Sequence, residues 1–407
     1  MSRISAIVPT FNRAALLRDC LDSLLGQTRP LDEILVIDDG SNDDTAQVVA
    51  AHGHRLRYCR QDNAGKAAAL NRALELISGD LVWICDDDDL ALPEAAARLE
   101  AALAADPAAG LAYGRYLVFD HAAGPGTARP PDYWPEAHQG DELRALLEDC
   151  FLFQFATLVR RDCYRRVGPF RTDLVRSQDY EMGLRLLRHF PARFVAAPLF
   201  LQRAHGGVRG PRAEQIRAGQ MMARWAEYDR AIFRDLRREM VVADFLPRAL
   251  AGLSGPARER AARLERGCVF ARRQMWDEAV EDLAVAVRLG DGAAPLPAEL
   301  AIARRCLLGK HGCADLPGRA DVVAAVAGLG RANAFGAGMV AALAQPLVWR
   351  AREALATGRP GLAAGFARVL WRWRGPSGAT TALAASLRGK LAAGTAGGGM
   401  TGEDRRR

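Results

Sequence analysis

The sequence predicts an α/β protein, in which a mostly parallel sheet domain is followed by an all-helical domain. Short apolar runs alternate with helical apolar stripes through the first hundred residues. Strand and helix alternating at this spacing indicate right-handed crossovers and a parallel sheet. Beyond about residue 240 strand patterns vanish, and alanine, arginine and leucine dominate. Half of the 407 residues are hydrophobic and a quarter are charged, as in globular chains of two or three domains.

Four strands are predicted in the first part of the chain. They are the segments ISAIVP (4–9), EILVID (33–38), RLRYCR (55–60) and LVWIC (81–85). EILVID is a continuous apolar run of the kind that a strand buried on both faces requires. Helical stripes fill the gaps between the strands, one of them running from Leu16 to Leu25. A later helix is predicted in SQDYEMGLRLLRHF (177–190), with Ser177 as its cap and Tyr180, Leu184 and Leu187 on one face.

The predicted domains are a sheet domain over 1–238, a helical domain over 239–392 and a disordered tail over 393–407. Within the helical domain, residues 271–290 resemble one helix-turn-helix unit of a tetratricopeptide repeat. The resemblance rests on Ala279, Leu283 and Ala286 after a turn formed by Trp276, Asp277 and Glu278. We expect this domain to bind an acceptor or a protein partner and to take no part in chemistry.

The amino-acid composition limits the classes of function that the chain can have. The net charge of +7 and pI near 9.2 suit an anionic small ligand or an anionic membrane surface, and no nucleic-acid-binding motif accompanies them. Eight scattered cysteines without a CxxC pair indicate free thiols in a reducing cytosol. The N-terminus is too short and polar for a signal peptide, and no stretch predicts a membrane span. We therefore expect a cytoplasmic protein, with peripheral contact at the inner face of a membrane left open.

Polar residues gather where three of the predicted strands end. Pro9, Phe11 and Asn12 lie at the end of the first strand, the pair Asp38–Asp39 ends the second, and the run 86–89, all aspartate, follows the fourth. Ligands of open α/β sheets bind beyond the carboxyl ends of the strands. The four aspartates exceed what a helix N-terminus needs, although a solvated acidic turn is the alternative. They favour a hard divalent cation, Mg²⁺ or Mn²⁺, held by one or two carboxylates and by substrate phosphates.

The second strand end has two interpretations. The sequence DDGS at 38–41 is a good turn. Alternatively, a carboxylate there accepts a hydrogen bond from a nucleobase while Phe11 stacks on the ring. Neither GxGxxG nor GxxxxGK[ST] follows the first strand, so phosphate would be bound by metal and side chains.

Five segments in this order resemble the family 2 glycosyltransferases of the GT-A fold. They are SAIVPTFNR, QTRPLDEILVIDDGSNDDT, NAGKAAALNRAL, SGDLVWICDDDDLALPE and SQDYEMGLRL, and the resemblance covers residues 3–205. The resemblance implies a Rossmann-like GT-A sheet domain. It also implies an inverting enzyme that moves a sugar from a nucleotide-diphosphate sugar, with UDP as the expected nucleotide, to an acceptor hydroxyl on a glycan, a lipid-linked molecule or a protein.

The same resemblance assigns roles to individual residues. Asp179 falls at the catalytic base, with Gln178 where the family usually has a second acid. The nucleotide-sugar-binding set is Pro9, Phe11, Asn12, Asp39, Lys66, Asn71, Asp86 and Asp87. Asp88, Asp89 and His205 form the metal set, and Arg203 with His205 resembles a late R-x-H element near the diphosphate. Two alternatives stay open: a sugar nucleotidyltransferase, and a non-catalytic adaptor that binds nucleotide-sugar.

Overall fold

The computed structural model describes residues 2–131, 134, 140–204, 221–290 and 292–376. The chain divides into two compact units, the first formed by Met1–Leu146 with Cys150–Tyr228 and the second by Leu147–Asp149 with Asp229–Arg407. This division lies ten residues before the predicted boundary at residue 238. The predicted tail over 393–407 lies outside the described residues.

The first unit is built on one eight-stranded sheet, in the order β3-β2-β1-β4-β7-β6-β8-β5. The strands are β1 (Ile4–Thr10), β2 (Glu33–Asp38), β3 (Arg57–Arg60), β4 (Leu81–Ile84), β5 (Leu90–Ala91), β6 (Leu111–Asp120), β7 (Thr157–Arg160) and β8 (Ala192–Ala204). Strands β1 to β4 pair in parallel, as do β6 and β8, whereas β7 and β5 are antiparallel to their neighbours. The predicted mostly parallel sheet is confirmed.

Helices connect and flank the strands of this unit. They are α1 (Ala14–Leu25), α2 (Thr45–Ala51), α3 (Lys66–Leu76), α4 (Ala95–Ala105), α5 (Glu142–Glu148), α6 (Arg161–Val167), α7 (Gln178–His189) and α8 (Met221–Glu239), the last of which continues into the second unit. Leu17, Cys20, Leu21 and Leu24 form the buried face of α1. They pack into one core with β1 and β4, where Trp83 is fully buried and donates to the carbonyl of Phe155 at 2.8 Å. This packing fixes the carboxyl ends of β1 and β4.

The second unit is helical throughout its described residues. After α8 come α9 (Gly255–Ala271), α10 (Trp276–Arg288), α11 (Pro297–Arg305), α12 (Ala320–Ala332), α13 (Ala334–Leu343), α14 (Gln345–Ala356) and a final helix over residues 360–376. The all-helical prediction is confirmed. None of the helices in the described residues is long and apolar enough to cross a membrane.

Helices α9 and α10 pack against each other, and Ala279, Leu283 and Ala286 of α10 are buried. The predicted turn at Trp276–Glu278 is wrong, because these residues are the first turn of α10. Acidic residues stabilise a helix N-terminus, which accounts for Asp277 and Glu278 at this place. The chain turns instead at residues 272–275, and the tetratricopeptide resemblance stays a prediction.

Candidate functional site

Parallel pairing of β1 and β4 brings the aspartate run of residues 86–89 beside the end of the first strand. Ile7 lies opposite Ile84 in the register, and the next amide, that of Cys85, donates to the carbonyl of Ile7 at 2.9 Å. Thr10 Oγ1 then donates to Asp87 Oδ2 at 2.7 Å, and both residues are buried. Side chains that are 77 residues apart in sequence therefore meet at one sheet edge.

Arg13 lies across two of the four aspartates. Its Nη1 is 2.9 Å from Asp87 Oδ1 and 2.9 Å from Asp88 Oδ2. Burial is the largest influence on Asp87 and raises its pKa to about 6, because the Arg13 charge offsets only part of the lost hydration. The guanidinium thus offsets the repulsion between adjacent carboxylates at the place predicted for a cation.

Lys66 connects the aspartate run to the predicted base. It is the first residue of α3, and its Nζ donates to Asp86 Oδ1. Loss of hydration would lower the pKa of Lys66, but neighbouring carboxylates raise it. In decreasing order of influence these are Asp86, Asp179 and Asp88. The structure therefore brings the predicted donor-binding lysine, two predicted strand-end carboxylates and the predicted base within electrostatic reach of one another.

Asp89 faces strand β8. Its Oδ1 accepts the backbone N–H of Arg203 at 2.8 Å, and its side chain is buried. The Arg203 guanidinium donates from Nε to the carbonyl of Asp88 at 2.8 Å and from Nη2 to Asp19 Oδ2 at 2.9 Å. In this arrangement Asp89 and Arg203 fix the backbone that presents Asp88. Asp89 as a metal ligand stays a prediction.

Asp39 organises the loop before α3. Its Oδ1 accepts from Gln61 Nε2 at 2.7 Å and from the amide of Ala64 at 2.9 Å. Its Oδ2 accepts from Asn63 Nδ2 at 3.0 Å and from the amide of Gly65 at 2.8 Å. A carboxylate has about four acceptor positions, and these four bonds occupy them. Asp39 therefore shapes the loop that leads to Lys66, and its contact with a nucleobase stays a prediction.

The loop after β1 is held by the loop after β2. Asn12 adopts φ of 52°, a left-handed conformation that asparagine tolerates better than most residues. Its amide donates to Ser41 Oγ at 2.9 Å, and its Oδ1 accepts from the amide of Asn42 at 2.8 Å. Pro9 is buried in β1, and Phe11 is half-buried at the start of this loop. The Asn12 side chain therefore positions the loop that carries Phe11.

Asn71 holds the segment that precedes α7. Its Nδ2 donates to the carbonyl of Phe170 at 2.9 Å, and its Oδ1 accepts from the amide of Phe170 at 2.7 Å. Both polar atoms of the amide are thereby used within the chain. Asn71 acts in this structure as a positioning residue for the segment that leads to Asp179.

Asp179 lies in the first turn of α7 and is half-buried. Its Oδ1 accepts a bond from the amide of Tyr180 at 2.9 Å. The predicted apolar face of this helix is confirmed, since Tyr180, Leu184 and Leu187 are buried. The predicted cap is wrong: Ser177 makes no capping bond and has φ of 59°, which turns its side chain away from a capping geometry.

The neighbours of Asp179 differ from it in their bonding. Glu181 is buried and forms a two-pronged ion pair with Arg185, at 2.7 and 2.8 Å. Gln178 is also buried, and its Oε1 has no hydrogen-bond partner in the part of the chain that the structure describes. Of the two acids in this turn, Asp179 is the one without a cation paired to it at hydrogen-bond distance among the described residues.

The metal set is only partly described. His205 lies outside the described residues. Within residues 2–131, 134, 140–204, 221–290 and 292–376, no group of three or more His, Cys, Asp or Glu side chains is arranged to hold a metal ion. The carboxylate oxygens of the aspartate run do suit a hard cation that is bound by one or two carboxylates and takes its remaining ligands from substrate phosphates and water. Asp88 as a metal ligand stays a prediction.

Sequence reasoning assigned no role to Arg13 or Thr10. Thr10 is the last residue of β1 and Arg13 follows three residues later, and both contact Asp87. The available signal was the uncompensated charge of four adjacent aspartates, which requires a cation and hydrogen-bond donors from the neighbouring strand end.

The first part of the chain matches a known protein family. Residues 5–168 match the family model described as Glycosyl transferase family 2. This region is a family 2 glycosyltransferase domain. The match contains β1 to β4 and the aspartate run, so the resemblance predicted from the motifs is confirmed.

Several similar proteins are also named as glycosyltransferases. An uncharacterized glycosyltransferase of Rickettsia felis is 28% identical over 210 residues, which cover 50% of this chain and 34% of that protein. The glycosyltransferase GlyA of Streptococcus pneumoniae is 41% identical over 90 residues, which cover 21% of this chain and 13% of that protein. The chain thus aligns with about a third or less of the length of these relatives.

Among solved structures, the mannosyltransferase PcManGT of Pyrobaculum calidifontis, in complex with GDP-Man and Mn²⁺, is similar at 24% identity. Its TM-score is 0.47, and the alignment covers 80% of this chain and 86% of that one. TarS of S. aureus is similar at 16% identity and a TM-score of 0.47, over 75% of this chain and 52% of that one.

Proposed function

We propose that the chain is an inverting, metal-dependent glycosyltransferase that moves a sugar from a nucleotide-diphosphate sugar to an acceptor hydroxyl. The observation that carries the proposal is the position of Lys66, which is bonded to Asp86 and within electrostatic reach of both Asp88 and Asp179. The aspartate run, a basic side chain and a candidate base lie together at the edge where ligands of such sheets bind.

The donor nucleotide would lie over the ends of β1 and β2. Phe11 is half-buried and offers a ring for stacking on a nucleobase. Asp39 holds the loop that carries Lys66, and the Lys66 ammonium is suited to a phosphate oxygen. Uridine diphosphate as the nucleotide rests on the family resemblance.

A divalent cation, Mg²⁺ or Mn²⁺, when bound by Asp88 and Asp86, would supply Lewis-acid stabilisation of the charge that grows on the leaving diphosphate. The Arg13 guanidinium already places a positive charge beside Asp88, with Nη1 2.9 Å from Asp88 Oδ2. Arg203 and Asp89 keep the backbone of Asp88 in place. Residues of the chain thereby orient the carboxylates before a donor arrives, which is the arrangement that pre-organised sites use.

Asp179 would act as the general base. It takes the proton from the acceptor hydroxyl, whose oxygen forms a bond to the anomeric carbon while the bond from that carbon to the diphosphate oxygen breaks. The nucleoside diphosphate leaves with the electron pair. Attack from the face opposite the leaving group inverts the anomeric configuration. Glu181 is less suited to this role because Arg185 occupies both of its oxygens.

A donor panel tests the proposal. The full chain is incubated with UDP-sugars and GDP-sugars, with and without Mn²⁺, and release of nucleoside diphosphate is followed. We expect slow hydrolysis of one donor, dependent on the metal. Binding of a donor with no release in the presence of any acceptor would indicate a non-catalytic adaptor. Formation of pyrophosphate from a nucleoside triphosphate and a sugar phosphate would indicate a nucleotidyltransferase.

A further inference from the structure

The final described helix, residues 360–376, has one buried face and one exposed face. Ala363, Phe366, Val369 and Leu370 are buried. The exposed positions recur with helical spacing and include Ala364, Ala367, Arg368, Trp371 and Arg372. We call these five residues the Trp371 face. It sets a tryptophan between two arginines on one side of one helix.

This helix is firmly attached to its unit. Trp373 donates from Nε1 to the carbonyl of Val323 on α12 at 3.1 Å. Gly365 lies so close to Pro317 that a Cβ added at the glycine would be 2.8 Å from the proline Cβ. These contacts fix the rotation of the helix about its axis. The exposure of Trp371 is therefore built into the packing.

Exposed apolar side chains concentrate in this part of the chain. Trp371 is 58% exposed, and Leu355, at the end of α14, is 60% exposed. Trp349, also on α14, is 37% exposed. Three of the eight exposed large hydrophobic residues in the described ranges thus fall within residues 345–376.

Positive charge concentrates in the same segment. Residues 345–376 contain six arginines and one glutamate, a net charge of +5, whereas the whole chain of 407 residues has +7. The glutamate, Glu353, is paired with Arg350 at 3.2 Å. In contrast, Arg368 and Arg372 are exposed and form no ion pair with the described residues. The Trp371 face therefore presents cations that are available to an anionic partner.

We propose that the Trp371 face binds the surface of an anionic lipid bilayer. A tryptophan is favoured at the boundary between headgroups and acyl chains, and adjacent arginines bind lipid phosphates. A soluble anionic polymer would satisfy the arginines but would leave the indole of Trp371 in water. The proposal does not depend on the glycosyltransferase activity.

Flotation with vesicles tests the proposal on the full chain. We expect the protein to float with vesicles in which about one third of the phosphatidylcholine is replaced by phosphatidylglycerol, and to stay below with pure phosphatidylcholine. Arg368→Gln combined with Arg372→Gln should weaken the partition coefficient roughly 10- to 30-fold, since each surface arginine near anionic lipid contributes to binding independently. Trp371→Ala should weaken it as well, and high salt should weaken the wild type.

The matched control is Arg288→Gln combined with Arg331→Gln, which removes the same charge from two exposed positions of the same unit outside the segment. This control should bind vesicles nearly as well as the wild type. Equal losses in both double variants would mean that net charge alone drives binding, and would overturn the assignment. So would an absence of flotation, or stronger binding of the wild type to heparin or DNA than to the vesicles.

Discussion

The backbone amide of Arg203 donates to Asp89 Oδ1 at 2.8 Å across 114 residues of sequence. Strand β8 thereby holds the turn that carries the aspartate run, and the Arg203 guanidinium adds a bond to the carbonyl of Asp88. Through these bonds Arg203 positions Asp88. It needs no contact with the substrate to affect the reaction.

Replacing Arg203 by lysine should therefore destabilise the site. The lysine keeps one charge but cannot bond Asp88 and Asp19 together, so the buried carbonyl of Asp88 loses its donor. We expect a loss of about 1–3 kcal/mol in the free energy of unfolding, measured by denaturant titration, and a weaker affinity for nucleoside diphosphate. Arg98→Lys, at an exposed ion pair on α4, is the control and should change stability by less than about 1 kcal/mol. Unchanged stability and affinity in Arg203→Lys would contradict the positioning role.

If Asp88 binds the metal ion, its replacement should abolish metal-dependent binding of nucleoside diphosphate. Asp88→Asn removes the negative charge but keeps the size of the side chain, so nucleoside diphosphate should lose its metal-dependent binding while the fold persists. Isothermal calorimetry with uridine diphosphate and Mn²⁺ measures this directly. Asp80→Asn, beside the opposite end of strand β4, is the control and should bind as the wild type does. Unchanged binding in Asp88→Asn would place the cation elsewhere.

The helical unit depends on a buried charge cluster around Asp282. This carboxylate is fully buried and accepts bonds from Arg266 at 2.7 Å, Arg263 at 2.9 Å and Arg237 at 3.2 Å. Asp282→Ala leaves these cations without their shared partner and should cost about 3–5 kcal/mol of unfolding free energy. Asp277→Ala, on the same helix α10 but exposed and paired with Arg319, should cost less than about 1 kcal/mol. Similar melting temperatures for the two variants would show that the cluster adds little.

Stability of the helical unit should also fall on mild acidification. The His311 side chain is buried, and burial lowers its pKa. Its Nε2 bonds Asp229 at 2.8 Å, while its Nδ1 has no partner among the described residues. The folded state thus resists a proton that the unfolded state accepts below about pH 6.5, so unfolding becomes easier as the pH falls through that value. The pKa of Asp229 is lowered chiefly through bonding and charge from His311 and Lys310 against the opposing effect of burial. Its contribution is therefore lost only at stronger acidity, below about pH 4.

Melting temperatures between neutral pH and pH 5 measure this effect. His311→Gln should flatten the decline over this range, because it removes the titrating group and keeps a donor for Asp229. His189→Gln, at an exposed position on α7, should keep the slope of the wild type. An unchanged slope in His311→Gln would refute the assignment.

The sequence alone predicted the parallel half of the sheet and the place of the aspartate run. Local patterns suffice there, because β1, β2 and β4 are largely apolar, buried runs whose polar ends must meet at one edge. The contacts of Arg13 with Asp87 and of Arg203 with Asp89 could not be predicted, since they join strand ends that are far apart in sequence and leave no periodic signal.

The errors in the prediction have local causes. Ser177 is a residue type favoured at helix caps, but its backbone takes a left-handed conformation in which the hydroxyl does not cap α7. Trp276 was assigned to a turn, although the two acids that follow it are typical of a first helical turn. In both cases residue type alone was used where backbone conformation decides.

The central claim is that Asp179 takes the acceptor proton. Steady-state kinetics of Asp179→Asn with the donor and acceptor that the wild type uses test it most directly. If Asp179 is the base, its loss should lower the turnover number about 10²–10⁴-fold with donor affinity nearly unchanged, whereas Glu181→Gln should lower chiefly the melting temperature, because Glu181 is bound by Arg185. If instead Asp179 only stabilises the first turn of α7, Asp179→Asn will keep most of its turnover number and lose about 0.3–1 kcal/mol of stability, and that result would contradict the account.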